Sequence, residues 1–168
     1  MAIVVGLFQF LPRLRDSRPL LHRRLGYFYI CAVAVGAAVG FPLSFLFFDP
    51  LPAEMRSRLM PVTVGFAILS IVWPFATGMA LYHAKHLRFE IHRAWMLRSY
   101  CLTYAAVTTS LVAPVFLLLT RDPITTTNLA LCSWPLNLLF AEWLIRRKSG
   151  EPSEISRVNV QSAAAAGD

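Results

Sequence analysis

The stretch Leu25-Gly-Tyr-Phe-Tyr-Ile-Cys-Ala-Val-Ala-Val-Gly-Ala-Ala-Val-Gly-Phe-Pro-Leu-Ser-Phe-Leu-Phe-Phe48 is 24 residues long and holds no Asp, Glu, Lys or Arg. A helix rises about 1.5 Å per residue and the hydrocarbon core of a bilayer is about 30 Å thick, so roughly 20 such residues cross it. Three more charge-free runs follow, Leu59 to Ala84, Ser99 to Thr120 and Pro123 to Ala141, of 26, 22 and 19 residues. The last reaches full length by continuing through Glu142-Trp143-Leu144-Ile145, which sets one carboxylate near a membrane boundary. A chain of 168 residues is too small to hide four such segments in a soluble core. The sequence therefore predicts an all-α integral membrane protein, a four-helix transmembrane bundle with spans over 27–48, 61–82, 99–120 and 124–145.

Composition agrees. The chain is 57% apolar and 15% charged, with a mean hydropathy of +0.56, where average usage is about 25% charged and 45–50% apolar. Disorder, a collagenous chain and a disulfide-stapled secreted domain are excluded. Cys31, Cys101 and Cys132 are odd in number and lie in apolar runs, so they read as small core or lipid-facing residues.

The net charge of +7 is a topology signal. Thirteen of the 16 basic residues collect on one side if the segment before the first span, the connector between spans two and three, and the tail share that side. Only Arg56, Arg58 and Arg121 stay on the other. The positive-inside bias then puts both termini and the middle connector in the cytoplasm. No connector joins a basic stripe to interleaved stacking aromatics, so the basic balance points to anionic lipid and not to nucleic acid.

Two end segments stand apart. Residues 1–12 are uncharged but only half a crossing long, and without a basic region ahead or a cleavage site they read as an N-terminal half-length helix, interfacial or truncated. Residues 148–168 are polar and then Ala-rich, which predicts a disordered cytoplasmic tail. Between them, 13–147 form the membrane domain.

Within the spans, Ala32, Gly36 and Gly40 make a small-residue face for close helix approach, within the chain or toward other membrane subunits or a second copy. Ser99, Thr103, Ala106, Ser110 and Ala113 predict a contact stripe along the third span, since hydroxyls there can bond carbonyls one turn back. Pro42, Pro74, Pro114 and Pro135 sit inside apolar runs and predict kinks or local openings. Glu142 lies one turn before Arg146 and predicts an ion pair within the fourth helix; proton handling beside Asn137 is the sharper alternative.

The histidines carry the sharpest chemistry. His83 and His86 are three apart and could share a face, but no Cys or carboxylate completes a zinc set. His22 and His92 have matching surroundings: His22-Arg23-Arg24-Leu25-Gly26-Tyr27 introduces the first span and His92-Arg93-Ala94-Trp95-Met96-Leu97-Arg98-Ser99-Tyr100 the third. Two neutral imidazoles on facing helices could ligate the iron of a b-type haem, with Arg23 and Arg93 on its propionates. The bland alternative is that each histidine orients a helix end at the interface.

The run Gly6-Leu-Phe-Gln-Phe-Leu-Pro-Arg-Leu-Arg15, the words Leu21-His-Arg-Arg-Leu-Gly-Tyr-Phe-Tyr29 and His92-Arg-Ala-Trp-Met-Leu-Arg-Ser-Tyr-Cys-Leu-Thr103, and Ala141-Glu-Trp-Leu-Ile-Arg-Arg147 together resemble a bacterial family of predicted membrane proteins, domain of unknown function 2306. Cys101 stands where that family usually has alanine, and the family implies more helix ahead of the Gly6 word. The resemblance implies a membrane location and four or more helices, and no activity. No nucleophile triad, phosphate loop or paired carboxylates in one pocket point to hydrolase or kinase chemistry. The leading expectation is a non-enzymatic membrane component or complex subunit; a b-type haem electron carrier on His22 and His92 is the alternative, and a small transporter the third.

Overall fold

A computed structural model describes residues 17–46, 49–131 and 133–149, with Ile3 and Gly6 from the segment ahead of them. Among the described residues there is no strand, and 91% are helical. Six helices follow in order: α1 Pro19–Leu46, α2 Ala53–Lys85, α3 Phe89–Thr103, α4 Ala105–Thr120, α5 Pro123–Leu131 and α6 Ser133–Ser149.

Three segments are long and apolar enough to cross a membrane: α1, α2, and Phe89–Thr120, which runs through α3 and α4. Only 22, 28 and 17% of their most apolar stretches is buried inside the protein. Leucines and phenylalanines such as Phe41, Phe45, Leu111, Leu118 and Phe140 point outward. A helix that is apolar all round and unburied by its own chain matches a lipid surrounding. The expected fourth span falls on two shorter helices, α5 and α6, on either side of position 132.

The helix ends follow local chemistry. Pro52 sits immediately ahead of α2, and Arg56 closes the connector by donating to the Asp49 and Leu51 carbonyls, 3.2 and 3.3 Å away. Arg56 and Arg58 do not stop the helix, so α2 begins eight residues before the expected span and runs for 33. At about 1.5 Å per residue it is roughly 50 Å long, well beyond the bilayer core. Asp122 caps α5: its carboxylate accepts from the Ile124 and Thr125 amides at 3.2 and 3.1 Å and from the Thr125 hydroxyl, with Pro123 at the first helical position. Those bonds, the Thr125 hydroxyl foremost, hold the Asp122 carboxyl below its usual range.

The prolines expected to kink or open the spans do not end their helices. Pro42, Pro74 and Pro114 lie inside helices that continue past them, and Pro135 falls in the first turn of α6, where its missing N–H costs nothing. The interruption in the third span is at Tyr104 instead, between α3 and α4. That break separates the expected stripe: Ser99 and Thr103 are buried, while Ala106 and Ser110 on α4 are exposed, because α3 packs on α2 whereas α4 packs on α5 and α6. Ser110 bonds the Ala106 carbonyl one turn back, as expected of a hydroxyl facing away from partners.

The small-residue face of α1 is used within the chain. A methyl at Gly36 would meet the Trp73 ring at 3.1 Å, and one at Gly40 would meet the Ser70 hydroxyl at 3.3 Å, so both glycines let α2 approach. Gly6, in the segment ahead of α1, is buried against Tyr100 and Tyr29, and any side chain there would overlap the Tyr100 ring. The Tyr100 hydroxyl donates to the Ile3 carbonyl, 3.2 Å. Cys31 is exposed on α1 and Cys101 buried in α3; Cys132 lies outside the described residues, as does the expected tail beyond Ser149.

The two ends of the bundle differ in charge. Arg56 and Arg58 open α2 and Arg121 ends α4, and Asn128 of α5 donates to the Arg58 carbonyl at 2.9 Å, so these three arginines share one end. The opposite end, where α1 and α3 begin and α2 finishes, carries Arg23, Arg24, Lys85, Arg88 and Arg93.

Candidate functional site: a cationic cavity

At this second end lies a cavity of about 1360 Å³. Its walls come from four helices, and the contributing residues repeat at helical spacing: His22, Gly26 and Ile30 on α1, Thr77, Leu81 and Lys85 on α2, Arg93 and Leu97 on α3, with Leu144 and Ile145 on α6. Residues four apart share one helix face, so α1 and α2 each turn such a face to the space. Gly26 adds no side chain, and α1 and α3 both pack against α2.

His22, Arg23, His92 and Arg93, from two sequence words 70 residues apart, all line this one cavity. Both histidines are the fourth residue of their helix, and both are half-buried. The His92 ring is fixed: its Nδ1 lies 2.7 Å from the Ala80 carbonyl of α2. A carbonyl only accepts, so Nδ1 carries the hydrogen, and in the neutral ring Nε2 keeps its lone pair. A backbone carbonyl behind the ring is the usual second partner of a metal-ligating histidine. His83 and His86, by contrast, part company. His83 is buried and its Nδ1 has no hydrogen-bond partner among the described residues, whereas His86 is exposed beyond the end of α2 and bonds the Tyr82 carbonyl.

Three cations and one acid face the space: Arg23, Lys85, Arg93 and Glu90. Glu90 accepts from Arg93 Nη1 at 2.8 Å, one turn along α3. The rest of the lining is largely apolar, including Leu81, Met96, Leu97 and Leu144. Sequence reading found the histidines and arginines through their repeated word. It passed over Lys85 and Glu90, whose only signal was position, at the last residue of α2 and in the first turn of α3.

The floor of the cavity is tied down by polar side chains. Thr77, on the wall, is 2.6 Å from the Ser99 hydroxyl. Ser99 is 2.9 Å from the Tyr29 phenol, and Tyr29 is 2.8 Å from the Thr103 hydroxyl. The Trp73 indole donates to Thr103 at 3.0 Å. The chain ends on the indole, which only donates, so it locks α1, α2 and α3 together and offers no through-path for protons.

Glu142 takes a partner other than the expected one. Its carboxylate receives both Nε and Nη2 of Arg98 on α3, at 2.5 and 3.2 Å, and not Arg146 of its own helix. The Arg98 guanidinium also lies over Trp95, 4.7 Å from the ring centre. A planar fork matches a carboxylate across a helix contact better than a neighbour on the same helix surface can. Asn137 is engaged elsewhere, donating to Thr108 at 3.1 Å.

Helices apolar on all sides, with a polar site confined to one end, define the class: a helical membrane protein. The chain belongs to the family described as predicted membrane protein DUF2306, which it matches over residues 1–145. No curated protein and no solved structure matches the chain.

Proposed function

We propose that this is a four-span protein of the bacterial inner membrane that holds a b-type haem in the cationic cavity and serves as an electron carrier, with no substrate chemistry of its own. One observation carries the reading: His22, His92, Arg23 and Arg93 line a single cavity, and the Ala80 carbonyl fixes His92 with Nε2 as its free nitrogen. The site fits the group. Ligand cavities commonly measure about 300–1,000 Å³, so about 1360 Å³ has room for a porphyrin. Apolar walls suit the ring, arginines suit two carboxylates, and two imidazoles suit the iron. When bound, the haem would supply a one-electron couple, with His22 and His92 as the residues that would hold its iron. The chain's own part is to fix His92 through Ala80, to hold the acidic edge with Arg23 and Arg93, and to seal the floor with the Tyr29 cluster.

In this reading α5 and α6 together make the fourth crossing over 124–145. The basic end, with both termini and the α2–α3 turn, faces the cytoplasm. Membrane components without a cofactor are the competing reading, and one spectrum separates the two. Full-length protein from haem-replete cells, purified in detergent and reduced with dithionite, is expected to show a b-type α-band that His22→Ala and His92→Ala each abolish while the protein still elutes as a folded species. Absence of the band from the unsubstituted protein overturns the proposal.

A further inference from the structure

We infer that the cavity is built for a doubly acidic ligand and that Glu90 is its resident competitor, a carboxylate that occupies Arg93 until a ligand carboxylate replaces it. The ligand's identity as haem rests on the reading above; the charge argument holds equally for the metal-free ring.

Three helices each send one cation to the cavity, Arg23 from α1, Lys85 from α2 and Arg93 from α3, and Glu90 is the only acid in its lining among the described residues. Two positive charges are thus left over, and Arg23 and Lys85 make no ion pair among the described residues. A ligand with an apolar body and two carboxylates balances that surplus while covering the leucines of the walls. A neutral ligand would cover the leucines and gain nothing from the exposed cations.

Glu90 and Arg93 are joined in a way that can open. Their side chains are 82 and 44% exposed, and such surface pairs on one helix contribute little. The other acid–arginine pair on α3 is different. Arg98 and Glu142 are 21 and 34% exposed and meet through two hydrogen bonds, so a ligand carboxylate has no ready access to that arginine. Of the two arginines on α3 that hold a carboxylate, Arg93 is the one that can exchange it. Glu90 also lies in the first turn of α3, where the helix end favours an anion, so it is held near Arg93 without being committed to it. Lys85 becomes a third contact for the acidic edge, and Glu90 sets the threshold for occupancy.

The test uses the full chain in detergent and metal-free protoporphyrin, a dicarboxylate, against its dimethyl ester, followed by fluorescence with protein-free micelles as reference. The diacid is expected to bind at least about tenfold more tightly than the diester. Glu90→Gln should tighten diacid binding by about two- to fivefold and Lys85→Gln should weaken it by a similar factor, the scale of exposed ion pairs. In an Arg93→Gln background the Glu90→Gln gain should vanish, since the competitor then has nothing to compete for. Equal binding of diacid and diester overturns the proposal. So does a Glu90→Gln variant that binds no more tightly, or a gain that persists without Arg93. Selective diacid binding without an α-band from iron porphyrin would sink the haem reading and leave this one standing. An α-band with equal binding of acid and ester would do the reverse.

Discussion

Tyr29 is the residue on which the core of the bundle turns. It is fully buried, and its phenol meets Ser99 and Thr103 from a helix 70 and 74 residues away in sequence. The four hydroxyl hydrogens can run in one sense, Thr77 to Ser99 to Tyr29 to Thr103 to the Ser99 carbonyl, which leaves only the Thr77 contact with the Trp73 carbonyl without a hydrogen. They can equally run in reverse, ending on the Trp73 carbonyl and leaving only the Thr103 contact with the Ser99 carbonyl. Removing the phenol oxygen leaves each neighbour with a second partner, so Tyr29→Phe should cost about 1–3 kcal/mol and not unfold the protein. Thermal unfolding in detergent should show a midpoint lower by several degrees, with porphyrin binding within about twofold of the parent. Ser99 and Thr103 were legible as a face of the third span; Tyr29 as their partner was not, since nothing local in a sequence says which apolar helix a hydroxyl face will meet. That His22 and His92 face one space was hinted at for the opposite reason, since each is followed by an arginine and stands just ahead of an apolar span.

At the scale of elements, the α2–α3 turn shapes the cavity mouth. Leu87 lines the cavity and sits there with φ 57°, a left-handed backbone that costs a leucine about 1 kcal/mol more than a glycine. It is 73% exposed, so little packing offsets the strain. Leu87→Gly is therefore expected to raise the thermal midpoint by about 2–4 °C, measured in the same detergent; a fall would show that the leucine side chain contributes more than its backbone costs. The charge-free runs located the apolar parts of α1 and α2 well, because lipid tolerates no charge in mid-span. They misplaced helix ends, because Arg56 and Arg58 are as good helix formers as any residue once the helix has left the membrane. The division at Tyr104 left no mark in composition, since both α3 and α4 are helical and only their packing partners differ.

Over the whole molecule, charge sorts the two ends, with three arginines at one and the cavity cations at the other. The sidedness proposed from that asymmetry predicts that a cysteine at Glu54, ahead of the arginines of α2, is labelled by an impermeant thiol reagent from outside intact cells, in a chain whose own cysteines are replaced. A cysteine at Ser153 should be labelled only after lysis, and the reverse pattern would invert the orientation. The pair between Arg98 and Glu142 has a further consequence, for assembly. Each group alone is costly to carry out of water toward the bilayer, yet together they form one nearly neutral unit. In the four-span reading proposed above, the segment carrying Arg98 is thus better retained once the one carrying Glu142 arrives, so the last two crossings enter most readily as a hairpin, with the charge pair already joined between them.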